Sequence, residues 1–290
     1  MTDAGRAAVD AWEPSSLELD RRRYRQRTAR RSVGIAIIST VVFTAVVVVT
    51  LANSPGWEAM RLMFFNVPIG IEAFPAVLKG LWLNIRALFF ASIGVAIFGT
   101  LLAVLRSLRG PVFFPLRALA AAYTDLFRGV PLIIVLFLVG FGIPSLQIFP
   151  RLPSAVWGTI AIIITYSAYV SEVLRAGLES VHPSQRIAAR SLGLSHAKTL
   201  RVVVIPQGVR KVVPALMNDF VSMQKDVGLI SVLGAVDAVR AAQIQVAHTF
   251  NFTPYVVAAL LFVAISFPMI RLTDRVTARM QQREQHAGTV

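Results

Sequence analysis

The side chains best placed to do chemistry are Asp125, Arg128, Glu172, Arg175, Lys225 and Asp226, each set in or beside a long apolar stretch. A charge at the centre of an apolar span costs about 2.5–3.5 kcal/mol on insertion scales, so each one needs a partner or a purpose. Asp125 and Arg128 are three residues apart, as are Glu172 and Arg175, and this spacing sets both members of a pair on one helix face. Two readings follow. Each pair is a structural ion pair, with Arg175 marking a membrane edge, or the opposite charges grip a solute that carries both signs. Spacing alone leaves both open. Gly129 and Pro131 loosen the helix beside Arg128 and free carbonyls that a regular helix would lock. Lys225 and Asp226 are adjacent and open to pairing with each other.

Other chemistries are absent. A phosphate-binding loop needs Gly-Lys-Ser/Thr after a glycine-rich turn, so that backbone amides surround the phosphates. None of the four lysines (Lys79, Lys198, Lys211 and Lys225) sits in that context. The histidines, His182, His196, His248 and His286, are too scattered to form a metal pair. The chain has no cysteine. No enzyme site, metal or cofactor is expected, and any ATP must be handled by another polypeptide.

The elements that position these groups are membrane spans. Of the 290 residues, 56% are apolar and 15% charged, against about 25% charged in a soluble domain. No charge occurs between Arg31 and Glu58, Arg86 and Arg106, Arg128 and Arg151, Arg151 and Glu172, or Arg240 and Arg271. Each gap approaches or exceeds the roughly 20 residues that a bilayer core requires. Six helices are expected, near 33–52, 80–105, 115–142, 155–177, 207–232 and 253–272, in an all-α membrane bundle. With the N-terminus inside, 22 of the 29 Lys and Arg residues fall on the inner side, so both termini are read as cytoplasmic. The net charge of +14 is then topological, and no nucleic acid is expected as a partner.

The segments divide as follows. Residues 1–32 form a basic cytoplasmic segment, disordered over 1–20. Residues 33–75 hold the first span and an external loop with a short helix at 57–65. Residues 76–280 form the core and 281–290 a cytoplasmic tail. The small residues Ala87, Ala91, Gly99 and Ala103 recur every four positions, with Val95 interrupting, and allow close helix packing.

Residues 181–206, VHPSQRIAARSLGLSHAKTLRVVVIP, read as a helical hairpin between the fourth and fifth spans. Pro183 suits a first helical turn, Gly193 stops the helix and Ser195 caps the next. This stretch resembles the "EAA" signature of ABC importer permeases: Ala188 and Ala189, three residues, Gly193, nine residues, then an apolar run ending in Pro206. TDLFRGVPLIIVLF (124–137), YSAYVSEVLRAGLESVHPSQ (166–185), PQGVRKVVPALMNDFVSMQKDVGLISVLG (206–234) and DAVRAAQ (237–243) are similar to the polar amino acid uptake branch, in the same order. The resemblance spans about residues 77–280. One position departs from it: Ile187 replaces the usual signature glutamate, so an ion pair there is impossible.

The resemblance implies a permease subunit of an ATP-driven amino acid importer in a bacterial cell membrane, working by alternating access. Its partners would be a dimer of ABC ATPase subunits, an extracytoplasmic amino-acid-binding protein and a second permease, identical or related. The hairpin would be the coupling helix, docking on the ATPase through Ile187, Ala188, Ala189, Leu192, Gly193 and Leu194. Asp125, Arg128 and Glu172 would contact the amino acid, with Lys225, Asp226 and Pro131 at a gate or along the path. The rival reading, an ion-coupled secondary transporter of small polar solutes, predicts inverted repeats and leaves the hairpin unexplained.

Overall fold

The computed structural model describes residues 15–108 and 110–287, the last seven by their backbone alone. Residues 1–14, most of the segment read as a disordered start, and 288–290, the last three of the tail, lie outside the described residues. All regular elements among the described residues are helical, as the sequence predicts. Four helices are long and apolar enough to cross a membrane, and six crossings result if each of two bent helix pairs is one span.

The chain divides into two compact units at Leu62–Met63. In the first, α1 runs from Ser16 to Ala52, starting well before the expected residue 33 and taking in residues 16–20, which were read as disordered. The Ser15 side chain caps it by accepting from the Glu18 amide, and Glu18 pairs with Arg22 at 3.1 Å, one turn on. Those local contacts carry the helix through the arginines. A short helix α2, Trp57–Phe64, follows as expected.

In the second unit, α3 (Val67–Ser107) is capped by Asn66 and holds Pro68 in its first turn. Its start takes in residues 67–79, about half of what the sequence predicts as an external loop. Helix α4 (Phe114–Gly129) and α5 (Leu132–Ser145, with a π-helical turn at Leu138–Gly142) form one bent pair. Helix α6 spans Ser154–Glu179. The hairpin follows as α7 (Pro183–Ser191) and α8 (His196–Thr199), which passes through a π-helical turn at Leu200–Val204 into α9 (Ile205–Asp226). A 3₁₀ segment, Val227–Leu233, ends at Gly234, and α10 (Ala238–Thr249) then departs at 50°. Helix α11 is Thr253–Ala287.

The main core joins Ala87, Ala91 and Val95 of α3 to Leu136 of α5, Ile162 of α6 and Ile230 after α9. The small-residue series of α3 is buried along its whole length, Val95 included. A second core sets Ala73 and Val77 of α3 against Ala238, Ala242 and Ala258.

A polar clamp joins the two. Asn84, buried in α3, donates from Nδ2 to the Val227 carbonyl (3.1 Å) and to Asp237 Oδ2 (2.9 Å). Its Oδ1 accepts from the Ala238 amide at 3.0 Å. Asp237 is fully buried, and its other oxygen caps α10 by accepting from the Arg240 amide at 2.8 Å. Gly80 admits this corner, since a methyl group there would sit 2.6 Å from the Ala238 nitrogen. Replacing Asn84 by Leu orphans a buried carbonyl, an amide and a carboxylate oxygen, at about 1–3 kcal/mol for each group left unpaired. Asn84→Leu is therefore expected to lower the thermal unfolding midpoint of the detergent-solubilised protein by several degrees. A midpoint equal to wild type would show that the clamp does not hold the corner.

Candidate functional site

The site is built where α4 breaks. Val130 is extended because a proline follows it, and α5 restarts at Leu132 with its axis 110° from that of α4. Backbone released by the break finds a partner in α6, where the Tyr169 hydroxyl donates to the Arg128 carbonyl oxygen at 3.3 Å. The bend opens a cavity of about 510 Å³ lined by Arg128, Pro131, Thr165, Tyr166, Asp219 and Asp226, among others. Its size falls within the range of small-molecule sites, about 300–1,000 Å³. Tyr166 donates its hydroxyl to Asp226 Oδ2 at 2.7 Å, tying α6 to α9 across the wall.

Behind Arg128 lies a charge cluster. Glu172 accepts from Arg106 Nη1 at 2.6 Å and from Arg175 Nε at 3.2 Å, while Arg175 Nη2 also bonds Glu172 Oε1. Arg128 Nη1 stands 3.9 Å from the same carboxylate, and Arg175 reaches on to Glu179 at 2.5 Å. Glu172 is one-fifth exposed and gathers guanidinium groups from α3, α4 and α6.

Of the residues singled out in the sequence, Arg128, Pro131 and Asp226 line the cavity. Glu172 does not line it and meets it through Arg128. The Glu172–Arg175 pair forms as its spacing predicts. Asp125 and Arg128 do not pair: Asp125 is exposed and makes no ion pair among the described residues, because Arg128 turns to Glu172. Lys225 and Asp226 do not pair either, since Lys225 is exposed and Asp226 takes the Tyr166 hydroxyl. Sequence reasoning assigned no role to Asp219, Tyr166, Tyr169, Thr165 or Arg106. A signal for some of them existed. Tyr166, Tyr169, Glu172 and Arg175 follow one another at three-residue steps, and Asp219, Ser222 and Asp226 share one face of α9.

The hairpin closes as a Schellman turn. The Gly193 amide donates to the Arg190 carbonyl (2.9 Å) and the Leu194 amide to the Ala189 carbonyl (3.2 Å), with Gly193 at φ +79°. Ser195 caps α8 through the Lys198 amide. Ile187, Ala188 and Leu192 are exposed, Leu194 is half-buried and Ala189 is buried. The hairpin is tied to α6, where Arg186 Nη2 bonds the Leu178 carbonyl at 2.5 Å, and it runs on directly into α9, whose Lys211 Nζ bonds the carbonyl of Ser180, the cap of α6, at 3.0 Å.

Broken apolar helices around a charged cavity, with a basic hairpin that exposes Ile187 and Leu192 and is fastened to α6, are the features of a membrane-spanning transport subunit. The chain belongs to the family described as binding-protein-dependent transport system inner membrane component, which residues 97–282 match. It is 31% identical over 205 residues to the probable glutamine ABC transporter permease protein GlnM of Bacillus subtilis, covering 70% of this chain and 93% of that one. With the probable amino-acid ABC transporter permease protein y4tG of Sinorhizobium fredii it shares 35% identity over 214 residues, 72% of this chain and 90% of that one. A crystal structure of an amino acid ABC transporter with histidines matches at 31% identity and TM-score 0.66, over 72% of this chain and 96% of its own. The methionine ABC transporter MetNI, at 16% identity and TM-score 0.57, covers 71% of this chain and 96% of its own and shares the fold alone. The chain is a multi-pass ABC importer permease, as the motif resemblance implies.

Removing the charge of Glu172 leaves three guanidinium groups facing one another. Glu172→Gln is expected to destabilise the solubilised protein by about 1–3 kcal/mol, less than for a fully buried pair because water reaches the cluster. Transport is expected to fall further than assembly, since Arg128 loses its anchor at the cavity. Unchanged uptake together with an unchanged melting temperature would remove the cluster from both roles.

Proposed function

We propose that the chain is the translocation subunit of an ATP-driven amino acid importer. The observation that carries this reading is the cavity at the α4–α5 break, where a guanidinium and two carboxylates face one another across a space of small-molecule size. An amino acid presents a carboxylate for the first and an ammonium for the second. The relatives named for glutamine and amino acid transport support the same substrate class.

Alternating access follows from how the hairpin is fastened. Two partner ATPase subunits close on ATP and move the docked hairpins, whose exposed Ile187, Ala188 and Leu192 form the contact. The Arg186 bond carries that motion into α6, and the unbroken run of α8 through the π-helical turn carries it into α9. These two helices cross closely just beyond the hairpin, where a methyl group on Gly208 would lie 2.9 Å from the Gly177 carbonyl oxygen. Such packing transmits displacement instead of absorbing it. The same helices supply Thr165, Tyr166, Asp219 and Asp226 to the cavity, so a movement that begins at the hairpin ends at the substrate. A substrate-loaded binding protein delivers from outside, and a second permease, identical or related, completes the path. The distribution of Lys and Arg supports a cytoplasmic position for both termini.

The test is uptake into vesicles reconstituted with the partner ATPase and binding protein, following amino acid accumulation and ATP hydrolysis together. ATP-dependent accumulation is expected. Accumulation driven by an ion gradient without the ATPase would overturn the reading. Gly193→Leu forces a side chain into left-handed backbone, at about 1–2 kcal/mol, and distorts the turn that presents Leu192. This variant is expected to insert normally, to retain at least part of the ATP hydrolysis and to lose at least tenfold in uptake. Wild-type uptake by Gly193→Leu would remove the hairpin from coupling.

A further inference from the structure

The charges of the cavity are unequal, and the imbalance bears on which amino acids fit. Among the described residues Arg128 is its one cationic lining group, against Asp219 and Asp226. Arg128 is also the group with the nearest competing anion, since Glu172 stands 3.9 Å behind it. Arg106, Arg175 and Glu179 belong to the cluster around Glu172 and do not line the cavity, and Lys225 is exposed outside it. The two aspartates differ in what they hold. Asp226 already accepts the Tyr166 hydroxyl. Asp219 Oδ2 is buried with no hydrogen-bond partner among the described residues, and so is the hydroxyl of Thr165, which lines the same cavity.

From this arrangement we infer that the cavity selects amino acids with a cationic side chain, of the lysine and arginine class, and that Asp219 is the specificity-determining carboxylate. The inference rests on the amino-acid reading of the cavity. Arg128 takes the α-carboxylate, Asp226 the α-ammonium, and Asp219 the side-chain cation. A neutral amino acid satisfies the first two contacts and leaves Asp219 as an uncompensated anion within the bundle, where such charges are costly. An acidic one adds a second anion beside it. A cationic one alone leaves no charge of the cavity without an opposite. Because two carboxylates set at different points hold two separate cations, length as well as charge is read. Discrimination of this kind, from a polar group that goes unpaired with the wrong ligand, is larger than an apolar pocket provides.

The experiment measures binding to the permease–ATPase complex without the binding protein, so that the permease's own preference is read. Tritiated L-arginine is the probe, displaced by unlabelled L-lysine, L-glutamine and L-glutamate. Arginine and lysine are expected to bind at least tenfold more tightly than glutamine, and glutamate more weakly still. Asp219→Asn is expected to cut the arginine-to-glutamine preference by tenfold or more, and Asp219→Glu, which restores the charge, to recover most of it. Thermal melts of both variants establish that they are folded; if Asp219→Asn is not, the wild-type ligand ranking and Asp219→Glu decide. Glutamine or glutamate binding as tightly as arginine, or an Asp219→Asn protein with its preference intact, would overturn the inference and leave the amino-acid reading standing. Binding of no amino acid at all would instead overturn that reading, and this inference with it.

Discussion

A helix that breaks inside a bilayer releases amide and carbonyl groups into a medium with no water to receive them, and the protein itself must supply their partners. That constraint organises the whole core. The chain has two bent apolar helix pairs and resolves their two breaks differently. At the α9–α10 corner, Asn84 and Asp237 take up the Val227 carbonyl and the Ala238 and Arg240 amides in a buried clamp. At the α4–α5 corner, Tyr169 takes the Arg128 carbonyl, and the remaining space is a charged cavity. One break has become structure and the other a site.

The charges follow the same division. Glu172 draws the arginines of three helices to one point, which holds the end of α4 against α6 while Arg128 stays at the cavity wall. Asp226 is restrained by Tyr166, and Asp219 is left available. Beyond them α6 and α9 are tied to each other by the Lys211–Ser180 bond, beside the hairpin that Arg186 fastens to α6. On the function proposed above, the helices that line the solute cavity are also the helices that flank the hairpin, with no intervening element between them.

Much of this was legible in the sequence, for physical reasons that differ by residue. Gaps free of charge located most of the spans because hydrocarbon excludes charge over a fixed thickness. Pro183, Gly193 and Ser195 placed the hairpin because each has a narrow backbone or capping preference, and all three act as expected. Pro131 marked the α4–α5 break for the same reason. What failed was pairing. Asp125 and Arg128 have the spacing of a helical ion pair, but spacing within one helix says nothing of a stronger anion arriving from another, and Arg128 turns to Glu172. Asn84 and Asp237 are 153 residues apart, so their clamp has no local signature. Helix α10 went unread because its start depends on that clamp. The external loop was misread because Pro68 and Pro75 suggest irregular chain, whereas one sits in a first turn and the other is accommodated within α3.

The start of α1 has a consequence of its own. At 100° per residue, the guanidinium groups of Arg21, Arg22, Arg23, Arg25, Arg27, Arg30 and Arg31 fall all around the helix, with no arc wider than about 80° left bare. A helix that rests on a lipid surface needs one oily side to sink and one charged side to float. This one has no oily side. It behaves as a mast, continuous with the span that roots it and equally charged whichever way it turns. Anionic headgroups around its foot can therefore collar it at any azimuth, and rotation of α1 about its own axis carries no electrostatic penalty there.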